Sequence, residues 1–177
     1  MDNGASSYRR FLSGDESGFD EILNLYQDNL IFFINRYVHN VTVAEDLAAD
    51  TFVELLAHKH RYNFKTALKT YLFMMGRSNA LDYLKRENIR HAVPFTDAAD
   101  AAFEDRLITD ENKRILNSAI NNLHQDYKTA LHLVYFEDMT YDEAARVMKK
   151  NVKQISNLIH RAKNALRSHL GKDGFSL

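Results

Sequence analysis

The 177-residue sequence contains no cysteine and no tryptophan, and it has a single proline, Pro94. Without cysteine the chain can form no disulfide and no thiolate metal site, which fits a reducing cytoplasm. Apolar runs reach only five residues, as in residues 30–34, whereas a membrane-spanning helix needs about 20. The sequence therefore predicts a cytoplasmic protein without membrane insertion.

The chain also lacks the motifs that enzymes use, since it has neither a Gly-rich phosphate loop nor a nucleophile motif. His58 and His60 with Glu54, or His160 with His169, are the nearest approach to a metal-ligand pattern. On a helix, however, side chains at i and i+2 diverge, and those at i and i+9 lie more than two turns apart. We therefore expect exposed histidines, with no metal, cofactor, catalytic residue or small-molecule substrate, and no enzyme.

Apolar residues recur at intervals of three and four along most of the chain, which predicts helices. The signal is strongest from Phe19 to Tyr37, and a further helix is predicted over residues 66–88. Between them, Thr42-x-x-Glu45 has the spacing of a capping box, in which hydroxyl and carboxylate each accept from a backbone N–H. No alternation of period two is long enough for a sheet, so the fold class is all-α.

The stretch from residue 140 to 170 predicts two short helices joined by a tight turn. Thr140-x-x-Glu143 is a second capping box, and Asn151 is a good N-cap for the following helix. That helix has one apolar face and one polar face, which is typical of a DNA-reading helix-turn-helix. The apolar face consists of Ile155, Leu158, Ile159, Ala162, Leu166 and Leu170, and the polar face of Lys153, Gln154, Asn157 and Arg161.

Positive charge is concentrated in two blocks that the net charge of −1 conceals. Residues 57–91 carry eight Lys or Arg against two acidic groups, and residues 146–172 carry eight against none. A face of one sign suits phosphate, although a basic helix end that is merely solvated would look the same. The blocks favour two separate contacts with nucleic acid.

Residues 91–109 interrupt the helical pattern with Pro94 and an acidic, alanine-rich composition. We interpret them as a flexible acidic linker. The predicted organisation is thus two small helical domains, residues 1–90 and residues 110–177, of which the second contains the helix-turn-helix.

Three segments stand in an order that resembles the extracytoplasmic-function sigma factors of bacterial RNA polymerase. Residues 44–56, A-E-D-L-A-A-D-T-F-V-E-L-L, are similar to the family's D-A-E-D-L-x-Q-E-x-F helix. Residues 68–86 are similar to its F-x-T-W-L-x-x-I-A-R-N-x-A-x-D-x-L-R-R segment, and residues 143–166 to its E-I-A-x-x-L and T-V-x-S-x-L-x-R-A-x-x-x-L elements. The resemblance covers nearly the whole chain and implies a factor for transcription initiation that binds promoter DNA and the polymerase core.

The resemblance implies that residues 44–56 dock on the clamp helices of the polymerase β′ subunit, and that the chain also meets the β flap and an anti-sigma factor. Outward carboxylates could pair with a basic partner helix, although any solvated helix can carry an acidic face. Ala49 stands where the family usually has glutamine. The residues expected to bind core polymerase are Glu45, Asp46, Leu47, Asp50, Phe52 and Glu54.

The resemblance also implies that the third helix meets the melted −10 element. Single strands need cations for the backbone and flat side chains for unpaired bases. Tyr71, Phe73 and Tyr83 could supply the flat side chains, although Tyr71 and Tyr83 could equally be core. Tyr71 replaces the family's tryptophan, and Ser78 its asparagine. The expected −10 residues are Lys65, Lys69, Tyr71, Arg77, Ser78, Asn79, Asp82, Lys85 and Arg86.

In the helix-turn-helix, amide side chains can read adenine and Lys or Arg can read guanine or hold phosphate. Lys149 stands where the family has glycine. Two other functions remain open: a stand-alone helix-turn-helix regulator whose first domain dimerises or binds a ligand, and an adaptor that binds polymerase without reading DNA. The expected −35 residues are Lys149, Lys150, Asn151, Lys153, Gln154, Asn157 and Arg161.

Overall fold

The computed structural model describes residues 3–90 and 110–170, and within these ranges every regular element is helical, with no strand. The all-α prediction is therefore confirmed. Packing divides the chain into two compact units, residues 1–103 and 104–177. The predicted linker, residues 91–109, lies outside the described residues. Among the helices described, none is long and apolar enough to cross a membrane.

Unit 1, residues 1–103, is built around its second helix. The helices are α1 (Asn3–Leu12), α2 (Ser17–Val38), α3 (Val41–Ala57) and α4 (Leu68–Arg90). Helix α2 packs against all three others. Its apolar side chains meet those of α4 in the core, because Phe33 and Phe73 are both fully buried with ring centroids 4.9 Å apart. A Cβ at Gly76 would lie only 2.8 Å from Leu30 Cδ1, so glycine lets α4 approach α2 closely.

The start of α3 differs from the sequence prediction. The N-cap is Asn40, whose Oδ1 accepts a 3.1 Å hydrogen bond from the Val43 N–H. Helix α2 ends at His39 in the left-handed conformation, with φ of 49°, so only two residues separate the helices. Thr42 consequently lies inside the first turn of α3, and the predicted capping box of Thr42 and Glu45 is wrong.

Unit 2, residues 104–177, contains the helix-turn-helix that the sequence predicted. Its elements are α5 (Glu111–Ile120), α6 (Gln125–Leu131), a π-helical turn (His132–Phe136), α7 (Tyr141–Met148) and α8 (Val152–Leu170). Helix α8 packs against α5, α6 and α7. Its predicted apolar face is buried except for Leu158, which is half-buried. The π-helical turn has no signal in the sequence.

The tight turn between α7 and α8 follows from local chemistry. Thr140 and Glu143 form the predicted capping box at the start of α7: the Thr140 N–H donates to the Glu143 carboxylate at 2.8 Å, and the Glu143 N–H donates to the Thr140 hydroxyl at 3.3 Å. Helix α7 ends at Lys149 in the left-handed conformation, with φ of 54°. The chain therefore reverses at a position where glycine would be unstrained.

Candidate nucleic-acid and partner interfaces

The polar face of α8 is exposed along two turns. Lys153, Asn157 and Arg161 follow one another at intervals of four, so they form one stripe, and all three are exposed. Helices α5, α6 and α7 hold the opposite face of α8 in the core. Unit 2 thus offers a rigid helix with an ammonium, an amide and a guanidinium aligned toward solvent.

Two of the predicted DNA-reading residues also cap α8. Asn151 Oδ1 accepts from the Gln154 N–H at 2.8 Å, and Gln154 Oε1 accepts from the Asn151 N–H at 2.8 Å. Reading an adenine edge with Gln requires both the oxygen and the nitrogen of its amide. Because the Gln154 oxygen is bound to the helix's own backbone, bidentate adenine reading by Gln154 requires breaking the cap.

The basic block of unit 2 is partly neutralised within the unit. Lys150 Nζ lies 3.2 Å from the Asp126 carboxylate. In the free protein this ammonium is therefore engaged in an ion pair. Lys163 Nζ lies 5.2 Å from the centroid of the Tyr135 ring, and a hydrogen bond with Tyr135 raises the pKa of this ammonium. In the described part of the chain, the cations without an ion-pair partner include Lys149, Lys153 and Arg161.

The predicted −10 cations of unit 1 fall into two groups. Lys65, Lys85 and Arg86 are exposed, and Lys85 Nζ has the Asp82 carboxylate at 3.5 Å. By contrast, Lys69 and Arg77 are half-buried. The ammonium of Lys69 lies 5.9 Å from the Phe73 ring centroid, and Arg77 Nε donates to the Tyr37 hydroxyl at 3.2 Å.

The aromatic side chains of α4 are arranged differently from the prediction. Phe73 is fully buried, so of the three aromatic residues considered for stacking it is not placed to meet a base. Tyr71 and Tyr83 are half-buried, and in both cases partial desolvation raises the pKa of the phenol. Tyr71 packs with its centroid 5.2 Å from that of Tyr62. The flat surfaces available on α4 are therefore those of Tyr71 and Tyr83.

The Asn79 side chain makes a hydrogen bond within unit 1. Its Nδ2 donates to the Thr51 hydroxyl at 3.0 Å, and that hydroxyl donates to the Leu47 carbonyl at 2.8 Å. These two bonds link α4 to the backbone of α3. Ser78, its neighbour, is half-buried. A cleft of about 480 Å³ opens beside this contact, lined by Leu47, Asp50, Glu54, Asn79, Asp82, Lys85 and Arg86.

The outer face of α3 presents carboxylates, as predicted, but different apolar residues. Glu45, Asp46 and Asp50 are exposed and Glu54 is half-buried. Leu47 and Phe52 are only 6% and 4% exposed. Both pack in the core of unit 1, so their assignment to a partner contact is wrong.

The apolar side chains that α3 does present are Val53, 62% exposed, and Leu56, 37% exposed. The prediction missed them. Ala49, Val53 and Leu56 have the i, i+4, i+7 spacing of one face, so a second apolar stripe opposite the core stripe was the available signal.

The loop of residues 58–67 connects α3 to α4. In the structure the Tyr62 hydroxyl donates to the Thr66 carbonyl, and Phe64 has a φ of 59°. Arg9 of α1 lies over the Phe64 ring, 4.7 Å from its centroid. Helix α1 thus packs against this loop, which no spacing in the sequence indicates.

Among the residues that the structure describes, no three His, Asp or Glu side chains come together as a metal site would require. Likewise, His58 and His60 are exposed at the start of the 58–67 loop, and His160 and His169 are exposed on α8.

Comparison with known protein families gives two matches, one in each unit. The model of Sigma-70 region 2 matches residues 22–89, within unit 1. The model of Sigma-70, region 4, matches residues 113–166, within unit 2. Together the two matches span well over half of the chain.

Curated relatives match over most of their length. The RNA polymerase sigma-H factor of Pseudomonas aeruginosa is 27% identical, over 89% of this chain and 88% of that protein. The ECF RNA polymerase sigma factor SigM of Bacillus subtilis is 25% identical, over 84% of this chain and 93% of that protein.

Two solved structures share the fold. CnrH, in complex with the cytosolic domain of CnrY, is 21% identical with a TM-score of 0.68, over 97% of this chain and 96% of that chain. The sigma factor RpoE of Bartonella quintana, in complex with the anti-sigma factor NepR, is 21% identical with a TM-score of 0.66, over 86% and 96%.

Proposed function

The chain belongs to the sigma-70 family as an RNA polymerase sigma factor of the extracytoplasmic-function type, and we propose how its two units divide the work. Unit 2 grips the duplex −35 element with α8. Unit 1 docks on core polymerase with α3 and holds the separated −10 strand with α4 and the loop before it. A match to region 2 across unit 1 does not favour a stand-alone regulator.

The observation that carries the proposal is the stripe of Lys153, Asn157 and Arg161 on α8. In a helix-turn-helix the second helix lies in the major groove. An amide suits adenine there, and Arg or Lys suits guanine or phosphate. Lys149 and Lys150 lie at the turn, close to where the DNA backbone would pass. Lys149 directs its charge to phosphate, and Lys150 does so in exchange for its ion pair with Asp126.

For the −10 strand, the exposed Lys65, Lys85 and Arg86 supply cations, and Tyr71 and Tyr83 supply rings of which part is open to solvent. Stacking on aromatic rings and ionic contacts with the backbone are what single strands require. Arg77, Ser78, Asn79 and Lys69 contribute from half-buried positions, by holding α4 in place beside the strand.

For core polymerase, the proposed docking surface is the outer face of α3, with Glu45, Asp46 and Asp50 around Val53 and Leu56. An apolar centre with a charged rim is the usual composition of an interface. Its partner is then a basic helix pair such as the β′ clamp helices, while unit 2 meets the β flap.

We further propose that the protein acts in the cytoplasm, catalyses no reaction itself, and is held inactive by an anti-sigma factor. The structures of similar fold include RpoE in complex with the anti-sigma factor NepR and CnrH in complex with the cytosolic domain of CnrY. An inhibitor that covers the outer face of α3 would compete directly with core polymerase.

Run-off transcription with the cognate core polymerase on a library of genomic fragments tests the proposal. The wild-type protein should start transcripts at a small set of fragments, and the double variant Lys153→Ala with Arg161→Ala should lose them. Lys113→Ala, at an exposed lysine of α5, is the matched control and should retain them. Transcripts that persist in the double variant would instead indicate an adaptor that does not read DNA.

A further inference from the structure

One exposed side chain of α8 is apolar, whereas the other exposed side chains of this helix are polar or charged. Val152 is 46% exposed, and it is the one large apolar residue with this exposure in the described part of unit 2. Ser156, one turn later on the same face of α8, is also exposed, and so is Lys153, the next residue in sequence. No carboxylate occurs on α8.

The position of Val152 is fixed by the reciprocal cap. Asn151 and Gln154, on either side of it, bind each other's backbone N–H at 2.8 Å. The first turn of α8 is thereby locked, and the side chain at its first residue is held outward. In helix-turn-helix proteins the N-terminal residues of the second helix are those that contact base edges.

The chemistry of this position selects one base. An isopropyl group can neither donate nor accept a hydrogen bond, so it gains nothing at a polar base edge and loses by desolvating it. In the major groove, thymine alone presents a methyl group, at C5, and small apolar side chains recognise it by contact. The adjacent ammonium groups of Lys149 and Lys153 favour the phosphates on either side.

We propose that Val152 contacts the C5-methyl group of one thymine in the duplex bound by α8, and that this contact makes thymine the preferred base at that position. The inference rests on the proposed function, because it requires α8 to lie in the major groove of promoter DNA. It adds a specificity-determining residue to the stripe of Lys153, Asn157 and Arg161.

Replacement of single thymines by deoxyuridine tests the contact, because it removes the methyl group and leaves the Watson–Crick pair intact. The experiment uses a promoter from which the wild-type holoenzyme starts transcripts, and each thymine of its −35 element is replaced in turn. At one thymine, the affinity of the wild-type holoenzyme should fall about 4-fold, as expected for one buried methyl group. Val152→Ala should bind the unmodified promoter with a similar loss and should be indifferent to deoxyuridine at that thymine.

Lys153→Ala is the control: it should weaken binding to every template and retain the sensitivity to deoxyuridine. Circular dichroism melting checks that Val152→Ala folds as the wild type does, as expected for an exposed side chain. The inference is overturned if no thymine is sensitive in the wild type, or if Val152→Ala keeps the same sensitivity. If the wild-type protein starts no transcript on any fragment, the proposed function fails and the inference fails with it.

Discussion

The Tyr8 hydroxyl donates a 2.7 Å hydrogen bond to the backbone carbonyl of Lys59, across 51 residues of sequence. Tyr8 is fully buried, with its ring centroid 5.5 Å from that of Tyr62 and 6.1 Å from that of Phe64. Helix α1, which precedes the residues matched by the Sigma-70 region 2 model, therefore holds the 58–67 loop against the core of unit 1. This loop leads directly into α4, so its geometry bears on the surface proposed for the −10 strand.

Tyr8→Phe should loosen the loop without opening the core. The ring remains in place, but the Lys59 carbonyl loses its donor, which costs about 1 kcal/mol in the free energy of unfolding. Backbone amides of residues 58–67 should exchange faster with solvent, as measured by hydrogen–deuterium exchange. Tyr83→Phe is the matched control, because Tyr83 is only half-buried and none of its hydrogen bonds crosses to the 58–67 loop. Unchanged exchange in Tyr8→Phe would show that packing alone holds the loop.

The same tyrosine makes unit 1 sensitive to alkaline pH. Burial, with smaller effects of Tyr71 and Tyr62, raises the pKa of Tyr8 to about 12, whereas an unfolded tyrosine ionises near pH 10. The folded state holds the proton more tightly, so this stabilisation is complete below pH 10 and is lost as pH rises through 12. The melting temperature should therefore fall as the pH is raised from 10 to 12. The slope should be smaller in Tyr8→Phe, and an equal slope would contradict the assignment.

Lys149→Gly should stabilise unit 2. Lys149 has a φ of 54°, a conformation that costs a residue with a Cβ roughly 1–2 kcal/mol, while glycine is unstrained there but loses more entropy on folding. We expect a net gain of about 1 kcal/mol in the free energy of unfolding, measured by urea denaturation. Lys150→Gly, the next residue, should instead destabilise, because it breaks the ion pair with Asp126. A loss of stability in Lys149→Gly would mean that the lysine side chain itself stabilises the turn.

Sequence reasoning predicted the helix-turn-helix best because its signals are local. Thr140 and Glu143 lie one helical turn apart, so their pairing depends on nothing beyond that turn. Lys149, which stands where the family has glycine, adopts the left-handed conformation that ends α7. Thr42 and Glu45 have the same spacing, yet α3 begins earlier, because Asn40 caps the helix first. A local pattern thus predicts a cap only where no better cap precedes it.

The faces of α3 and α4 were harder to assign, because periodicity shows that a stripe exists but not what covers it. Leu47 and Phe52 belong to the stripe that packs in unit 1, whereas Val53 lies on the other side of α3. Phe73 was one of three aromatic residues considered for stacking on bases, but it meets Phe33 in the core. These assignments depend on contacts between helices that are distant in sequence, which composition and spacing do not encode.

Val53 and Leu47 should respond in opposite ways to truncation. Val53→Ser removes an apolar group that is 62% exposed, so stability should be unchanged while the affinity for core polymerase falls about 5-fold, as for the loss of part of a buried side chain. Leu47→Ala should cost about 2–4 kcal/mol in the free energy of unfolding, because it leaves a cavity. Affinity is measured by fluorescence anisotropy with labelled protein. Undiminished binding by Val53→Ser would place the docking surface away from this face of α3.

Substitutions of the two amide side chains, Gln154 and Asn157, should have different effects: the first should lower stability and the second should change base preference. Gln154→Ala breaks the reciprocal cap with Asn151, so the free energy of unfolding should fall by about 1 kcal/mol, and affinity should decline evenly across promoter sequences. Asn157 is exposed, and its side chain makes no hydrogen bond to another described residue. Asn157→Ala should therefore leave stability unchanged and relax the preference for adenine at one base pair by about 1–3 kcal/mol. Binding to a promoter randomised at each position distinguishes the two effects. If Gln154→Ala instead alters the preference at one base pair, Gln154 reads DNA and the cap opens on binding, because its amide oxygen cannot serve the Asn151 N–H and an adenine edge together.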